Sequence, residues 1–167
     1  LGRATDEGVT FGALSGADQV ATVQKLVDDA LAQGATVASG GVLPAGLPAG
    51  GSYFPATVLT NVPTTADIAH SEIFGPVVAI QTFATEDEGI AMANDTPFGL
   101  AAYVFAGDTG RALTIAERIE AGMVAINKGT ISDPAAPFGG VKESGVGREG
   151  GMEGIGEYLE PKYISLP

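Results

Sequence analysis

The chain has no cysteine. That excludes disulfides, a thiolate-ligated metal and a thiol nucleophile among these residues. Histidine is nearly absent as well: His70 stands alone, no carboxylate spacing around it suggests a zinc set, and no metal site is expected. Bases are scarce, with 8 Lys and Arg against 20 Asp and Glu and a formal charge of −12. A surface of that sign repels phosphate, so no nucleic-acid partner and no anionic membrane partner is expected. No apolar run is long enough to span a bilayer. The opening residues, Leu1-Gly2-Arg3-Ala4-Thr5-Asp6, lack the apolar stretch of a secretory signal. They also lack methionine, and the expectation is a chain that starts inside a longer gene product. Nothing suggests export, so a cytoplasmic location is expected.

What is present is globular. The 167 residues are 45% apolar and 17% charged, enough for one ordinary domain with a core. Residues 1–14 look irregular, with turn signals at Gly2, Gly8 and Gly12. Ser15 to Gln33 reads as a helix capped by Ser15, with Val20, Val23, Val27 and Leu31 on one apolar stripe and Gly34 ending it. Thr36-Val37-Ala38 is a short strand candidate, and Gly40 to Ser52 is a Gly/Pro-rich surface loop. Strand signal resumes in Tyr53-Phe54 and Thr57-Val58-Leu59.

From Gly75 the order is clearer. Pro76–Phe83 reads as a strand and Thr85–Asn94 as a helix opened by the capping box Thr85-x-x-Glu88. Leu100–Ala106 reads as a strand, Asp108–Glu120 as a helix with Leu113, Ile115, Ala116 and Ile119 inward, and Met123–Asn127 as a strand. Alternation of this kind, with strands apolar on both faces, predicts an α/β fold with a parallel sheet covered on both sides. Lys128–Gly151 is a long Gly-rich loop, and ordered loops of this length usually carry function. Met152–Leu159 reads as a short helix and Lys162–Leu166 as a final strand with no partner of its own, suited to pairing with another subunit.

Several motifs invite chemistry. Gly145-Val146-Gly147-Arg148-Glu149-Gly150 fits G-x-G-x-x-G, but no strand precedes it and the chain ends before the carboxylate that a dinucleotide fingerprint requires. The simpler reading is glycines supplying special backbone angles in a tight loop. Gly140–Ser144 is not a phosphate loop, because Lys142 and Ser144 are not adjacent. In Ser71-Glu72-Ile73-Phe74-Gly75-Pro76, a carboxylate beside an aromatic could hold a nucleotide's ribose and cover an apolar ring; a solvated Glu and a core Phe are the plainer alternative. Ser132 could donate to a carboxylate and Phe138 could wall a pocket, although Ser132-Asp133-Pro134 is also a simple turn. Lys142 and Arg148 could bind an anion, although paired surface charges are the plainer reading of two isolated bases on an acidic chain.

Taken together, three of these stretches resemble the aldehyde dehydrogenase superfamily. Glu72-Ile73-Phe74-Gly75-Pro76-Val77 looks like its E-x-F-G-P stretch. Asn94-Asp95-Thr96-Pro97-Phe98-Gly99-Leu100-Ala101-Ala102-Tyr103 looks like its N-x-x-x-F-G-L-A-A segment. Pro137 to Gly150 looks like its P-F-G-G-x-K-x-S-G-x-G-R-E segment. They stand in the family's order, and the resemblance covers essentially the whole chain. Ile126-Asn127-Lys128-Gly129-Thr130-Ile131-Ser132 is similar to the succinate-semialdehyde dehydrogenases, with Lys128 and Asp133-Pro134-Ala135 departing from their pattern.

The resemblance implies an NAD- or NADP-dependent oxidation of a small-molecule aldehyde, through a thiohemiacetal on a cysteine placed upstream of Leu1. It implies no catalytic nucleophile and no general base within this chain, and predicts the chain alone inactive. It makes Glu72 and Phe74 cofactor-binding, at the nicotinamide ribose, and Ser132 and Phe138 substrate-binding, at the distal carboxylate and the aldehyde channel. Lys142, Ser144 and Arg148 would order the loop. Residues 1–150 would be the C-terminal part of the catalytic domain, and 151–167 a helix and an oligomerisation strand building a homodimer or homotetramer. The Rossmann-type cofactor domain would lie upstream. Two other readings remain: a non-catalytic binding or assembly module, and a dehydrogenase for a different aldehyde.

Overall fold

The computed structural model describes residues 1–167. It falls into two compact units, Leu1–Ala84 and Thr85–Pro167.

The first unit is built on helix α1 (Ala17–Ala32). Val23, Leu26, Val27 and Ala30 turn inward, at the i, i+3, i+4, i+7 spacing of one helix face. The inward stripe is rotated from the expected one: Leu31 is on the exposed side, and Leu26 and Ala30 take the buried places. Ser15 is not the cap either. Gly16 occupies that position, in extended backbone and without a side-chain hydrogen bond.

Against α1 lies a three-stranded sheet of β1 (Thr36–Gly40), β2 (Thr57–Thr60) and β3 (Val77–Ala79), in that spatial order. β1 and β2 run antiparallel, with an irregularity between Val37 and Ser39, while β2 and β3 run parallel. The sheet is therefore mixed rather than wholly parallel. β1 is exposed along its length, so this edge is not covered on both faces as expected. Leu59, fully buried on the central strand, joins Val23, Phe54, Val62, Ile68 and Val77 in the core. Burying one such leucine is worth about 2 kcal/mol.

The second unit follows the expected alternation. Helix α2 (Glu86–Asn94) is capped by Thr85, whose Oγ1 accepts the Glu88 amide at 3.2 Å. β4 (Phe98–Gly99) and β5 (Ala101–Val104) lead to α3 (Thr109–Arg118), capped by Asp108 through the Arg111 amide at 2.7 Å. β6 (Met123–Ile126) returns parallel to β5, in register from Ala101↔Met123 to Val104↔Ile126. This β5–α3–β6 crossover is a βαβ unit. Ala112 and Ala125 are buried within it, whereas Leu113, expected to point inward, is 53% exposed.

The long loop after β6 is less irregular than its composition suggests. β7 (Val141–Lys142) pairs antiparallel with β4, and Phe138 bridges Glu149. A 3-10 helix, Glu153–Tyr158, replaces the short helix expected there. Residues 159–167 form no strand within the chain, because no neighbouring strand offers them a ladder; Tyr163, Ile164 and Leu166 are exposed.

Candidate functional site

In the first unit, the loop ahead of β3 presents Glu72 and Phe74. Both are exposed, Phe74 at 72%. Ile73 between them packs against the core. Gln19, on α1, donates from Nε2 to the Ile73 carbonyl at 3.3 Å and the Phe74 carbonyl at 3.2 Å. Gly75 lies so close to α1 that a Cβ there would sit 2.8 Å from Val23 Cγ2. Phe74 itself has φ 43, a left-handed conformation that costs a non-glycine residue about 1 kcal/mol or more. The backbone is thus held in a costly shape that leaves an aromatic ring in solvent, the reverse of a core phenylalanine. The Glu72 carboxylate has no hydrogen bond within the chain. An unengaged carboxylate and an exposed aromatic ring two residues apart can accept hydrogen bonds and cover an apolar face.

In the second unit, the two motif segments expected from sequence are joined. Phe98 pairs with Lys142 and Gly99 with Val141. The Ser144 hydroxyl accepts the Gly99 amide at 2.9 Å, and the Pro97 carbonyl accepts the Glu143 amide at 2.9 Å. Lys142 Nζ donates to the carbonyls of Asn94 at 2.7 Å and Thr96 at 3.2 Å, and pairs with Glu120 at 2.6 Å. Arg148 Nη1 donates to the carbonyls of Gly140 at 2.8 Å and Gly147 at 2.6 Å. Lys142, Ser144 and Arg148 therefore order the loop. The glycines of the rejected G-x-G-x-x-G run do what tight turns require: Gly145, Gly147 and Gly150 have φ of 108, 86 and 66.

Phe138 is held by two backbone bonds to Glu149, at 2.7 and 2.8 Å. With Leu100, Ser144, Arg148, Ile155 and Tyr158 it lines an open cleft of about 760 Å³. Ser132 is not among the lining residues, so Phe138 and Ser132 do not share this cleft. Ser132 is exposed and forms no hydrogen bond within the chain. Beside it, Asp133 makes the expected turn, its Oδ1 accepting the Ala135 amide at 2.9 Å and its carbonyl the Ala136 amide at 3.1 Å.

Sequence reasoning missed three residues that set these loops. Gln19 gives no signal in a helical pattern. Asn94 bridges α3's end, donating to the Arg118 carbonyl at 2.8 Å and accepting the Glu120 amide at 2.9 Å. Asn127 closes β6 at φ 52, its side chain exchanging two 2.9 Å bonds with the backbone of Ala106. A single Asn directly after a strand is the one available hint, since Asn tolerates that backbone region.

The family model described as "Aldehyde dehydrogenase family" matches residues 1–164. The chain is 48% identical over 166 residues to a glutarate-semialdehyde dehydrogenase of Pseudomonas putida, covering 99% of this chain and 34% of that protein. It is 45% identical over 166 residues to an NADP(+) succinate-semialdehyde dehydrogenase of Escherichia coli K12, again covering 99% of this chain and 34% of the relative. A crystal structure of succinate-semialdehyde dehydrogenase from Burkholderia pseudomallei superposes with a TM-score of 0.88 at 47% identity, over 95% of this chain and 32% of that one. The α/β segment with its three ordered motifs belongs to the aldehyde dehydrogenase family. It spans about a third of the length of the curated relatives it matches.

Proposed function

We propose that these residues serve an NAD(P)-dependent dehydrogenase that oxidises a semialdehyde carrying a distal carboxylate, succinate semialdehyde first among candidates. The observation that carries this is the pinned Glu72–Phe74 loop, which exposes an acceptor and an aromatic face at a cost in backbone strain. The relatives named glutarate- and succinate-semialdehyde dehydrogenases support the substrate class.

In this reading Glu72 accepts hydrogen bonds from the nicotinamide ribose and Phe74 packs beside it, fixing the ring for reaction. NAD or NADP, when bound, supplies the hydride acceptor. Ser132, whose hydroxyl is uncommitted within the chain, donates to the substrate's distal carboxylate. Phe138 walls the aldehyde channel. The thiol that attacks the aldehyde comes from elsewhere in the polypeptide, because this chain has no cysteine. The enzyme works in the cytoplasm, with residues 151–167 joining protomers into a homodimer or homotetramer.

The test is Ser132→Ala in the full-length polypeptide. KM for succinate semialdehyde should rise about tenfold or more, with little change for a neutral aldehyde of equal length. Equal effects on both substrates would sink the carboxylate role. A second change, Glu72→Gln, should raise KM for the cofactor while leaving aldehyde KM in place.

A further inference from the structure

Four residues other than glycine adopt positive φ: Asn61, Phe74, Asn127 and Lys142. Asparagine tolerates that region, and Lys142 lies in the β4–β7 ladder. Phe74 has neither advantage. It is aromatic, and β3 begins only at Val77. A bulky residue at φ 43 relaxes toward the extended region unless something holds it.

One side chain of α1 is placed to hold it. The φ and ψ of a residue set the angle between the peptide planes on its two sides. At Phe74 those planes carry the carbonyls of Ile73 and Phe74, and Gln19 Nε2 donates to both, at 3.3 and 3.2 Å. A primary amide has two N–H donors, one for each carbonyl. No backbone amide bonds either carbonyl. A single group therefore fixes both planes, and with them the left-handed conformation.

The segment leading to Phe74 is fastened to the same helix independently of Gln19. At the other end of α1, Gln33 Oε1 accepts the Thr65 hydroxyl at 2.7 Å and Asp29 Oδ2 accepts the Asp67 amide at 2.9 Å. Ile68 and Ile73 pack into the core, and Gly75 presses on Val23. Loss of the Gln19 amide thus leaves the segment in place and frees the two dihedrals of Phe74.

We propose that Gln19 is a positioning residue for the cofactor: it locks Phe74 in the left-handed conformation and so holds the ring in the pose that packs beside the nicotinamide ribose. This rests on the cofactor role of Glu72 and Phe74 proposed above. Gln19 acts through the Phe74 backbone and not on the aldehyde.

The experiment uses the full-length enzyme and reads Kd for NADH and NADPH from their fluorescence, beside KM for succinate semialdehyde. Gln19→Met keeps the length of the side chain and removes both donors; Gln19→Glu keeps its shape and removes them too. Either change should raise the cofactor Kd about tenfold, as expected when the competent conformation falls to roughly one tenth of the population, with the aldehyde KM unchanged. In a Phe74→Ala background the same changes should alter Kd by about twofold or less, because no ring remains to be held. A merely structural glutamine would lower the urea midpoint in both backgrounds and leave Kd where it was. An equal rise in Kd with and without the ring, or none in either background, overturns the lock and leaves the cofactor reading standing. If Phe74→Ala and Glu72→Gln themselves leave Kd unchanged, the cofactor reading falls, and this inference with it.

Discussion

The side chain of Asn94 spans the end of α3, taking the Glu120 amide and giving to the Arg118 carbonyl, while its own carbonyl receives Lys142. One residue thereby ties α2, α3 and β7 together. Asn94→Ala should leave two backbone groups without partners and cost about 1 to 2 kcal/mol, read as a lower urea midpoint with unchanged m-value. No change in midpoint would show that water replaces the amide freely.

Gly122 packs on the Phe138 loop so closely that a Cβ would lie 2.8 Å from the Gly139 carbonyl carbon and the Gly140 Cα. Both are backbone atoms and cannot swing aside. Gly122→Ala should therefore displace the Gly139–Gly140 segment, destabilise by about 2 kcal/mol, and speed amide exchange at Phe138 and Glu149. Unaltered exchange at these two amides would contradict the crowding.

Asp29 accepts the Asp67 amide at 2.9 Å and the Gln33 side chain, and these bonds, with a smaller contribution from Lys25, hold its carboxyl below the ordinary range despite an opposing desolvation effect. A depressed folded-state pKa means stability that is present above the unfolded value and is lost as pH falls through the folded one. Asp29→Asn should thus be less stable than the parent at neutral pH, with the gap closing below about pH 4. Chemical denaturation at several pH values tests this; a gap independent of pH would count against it.

Purified alone, the chain should not reduce NAD or NADP in the presence of succinate semialdehyde, because no thiol is available to add to the aldehyde. A rise in reduced-cofactor absorbance would overturn the assignment of chemistry to another part of the polypeptide.

Local chemistry made much of the fold legible. Thr85 with Glu88, and Asp108 opening α3, are signals carried within one turn, and both helices formed where those residues stand. Ser15 failed for an equally local reason: α1 opens at Gly16 and draws no side-chain bond at all. What escaped reading depends on distant pairing. β4 and β7 are two residues each, too short for any periodicity, and they exist because Gly99 has no Cβ to block Val141 and the Glu120 carbonyl. The antiparallel β1–β2 pair was hidden in the same way by the Gly/Pro-rich stretch between its strands. Of the candidate residues, Glu72 and Phe74 in the first unit and Ser132 and Phe138 in the second were visible as residue types in motifs. The Gln19 and Asn127 anchors were not, since amide side chains bond to whatever backbone the fold brings near them.

The connection between residues 128 and 137 starts from Asn127, locked to Ala106, and finishes at Phe138, locked to Glu149. Fastened at each end, it behaves as a cassette. Only its middle is tied elsewhere, through the Gly151 amide on the Pro134 carbonyl at 3.3 Å, so exchanges at 128–132 should leave the scaffold's stability closer to its starting value than exchanges at Pro134 or Ala136.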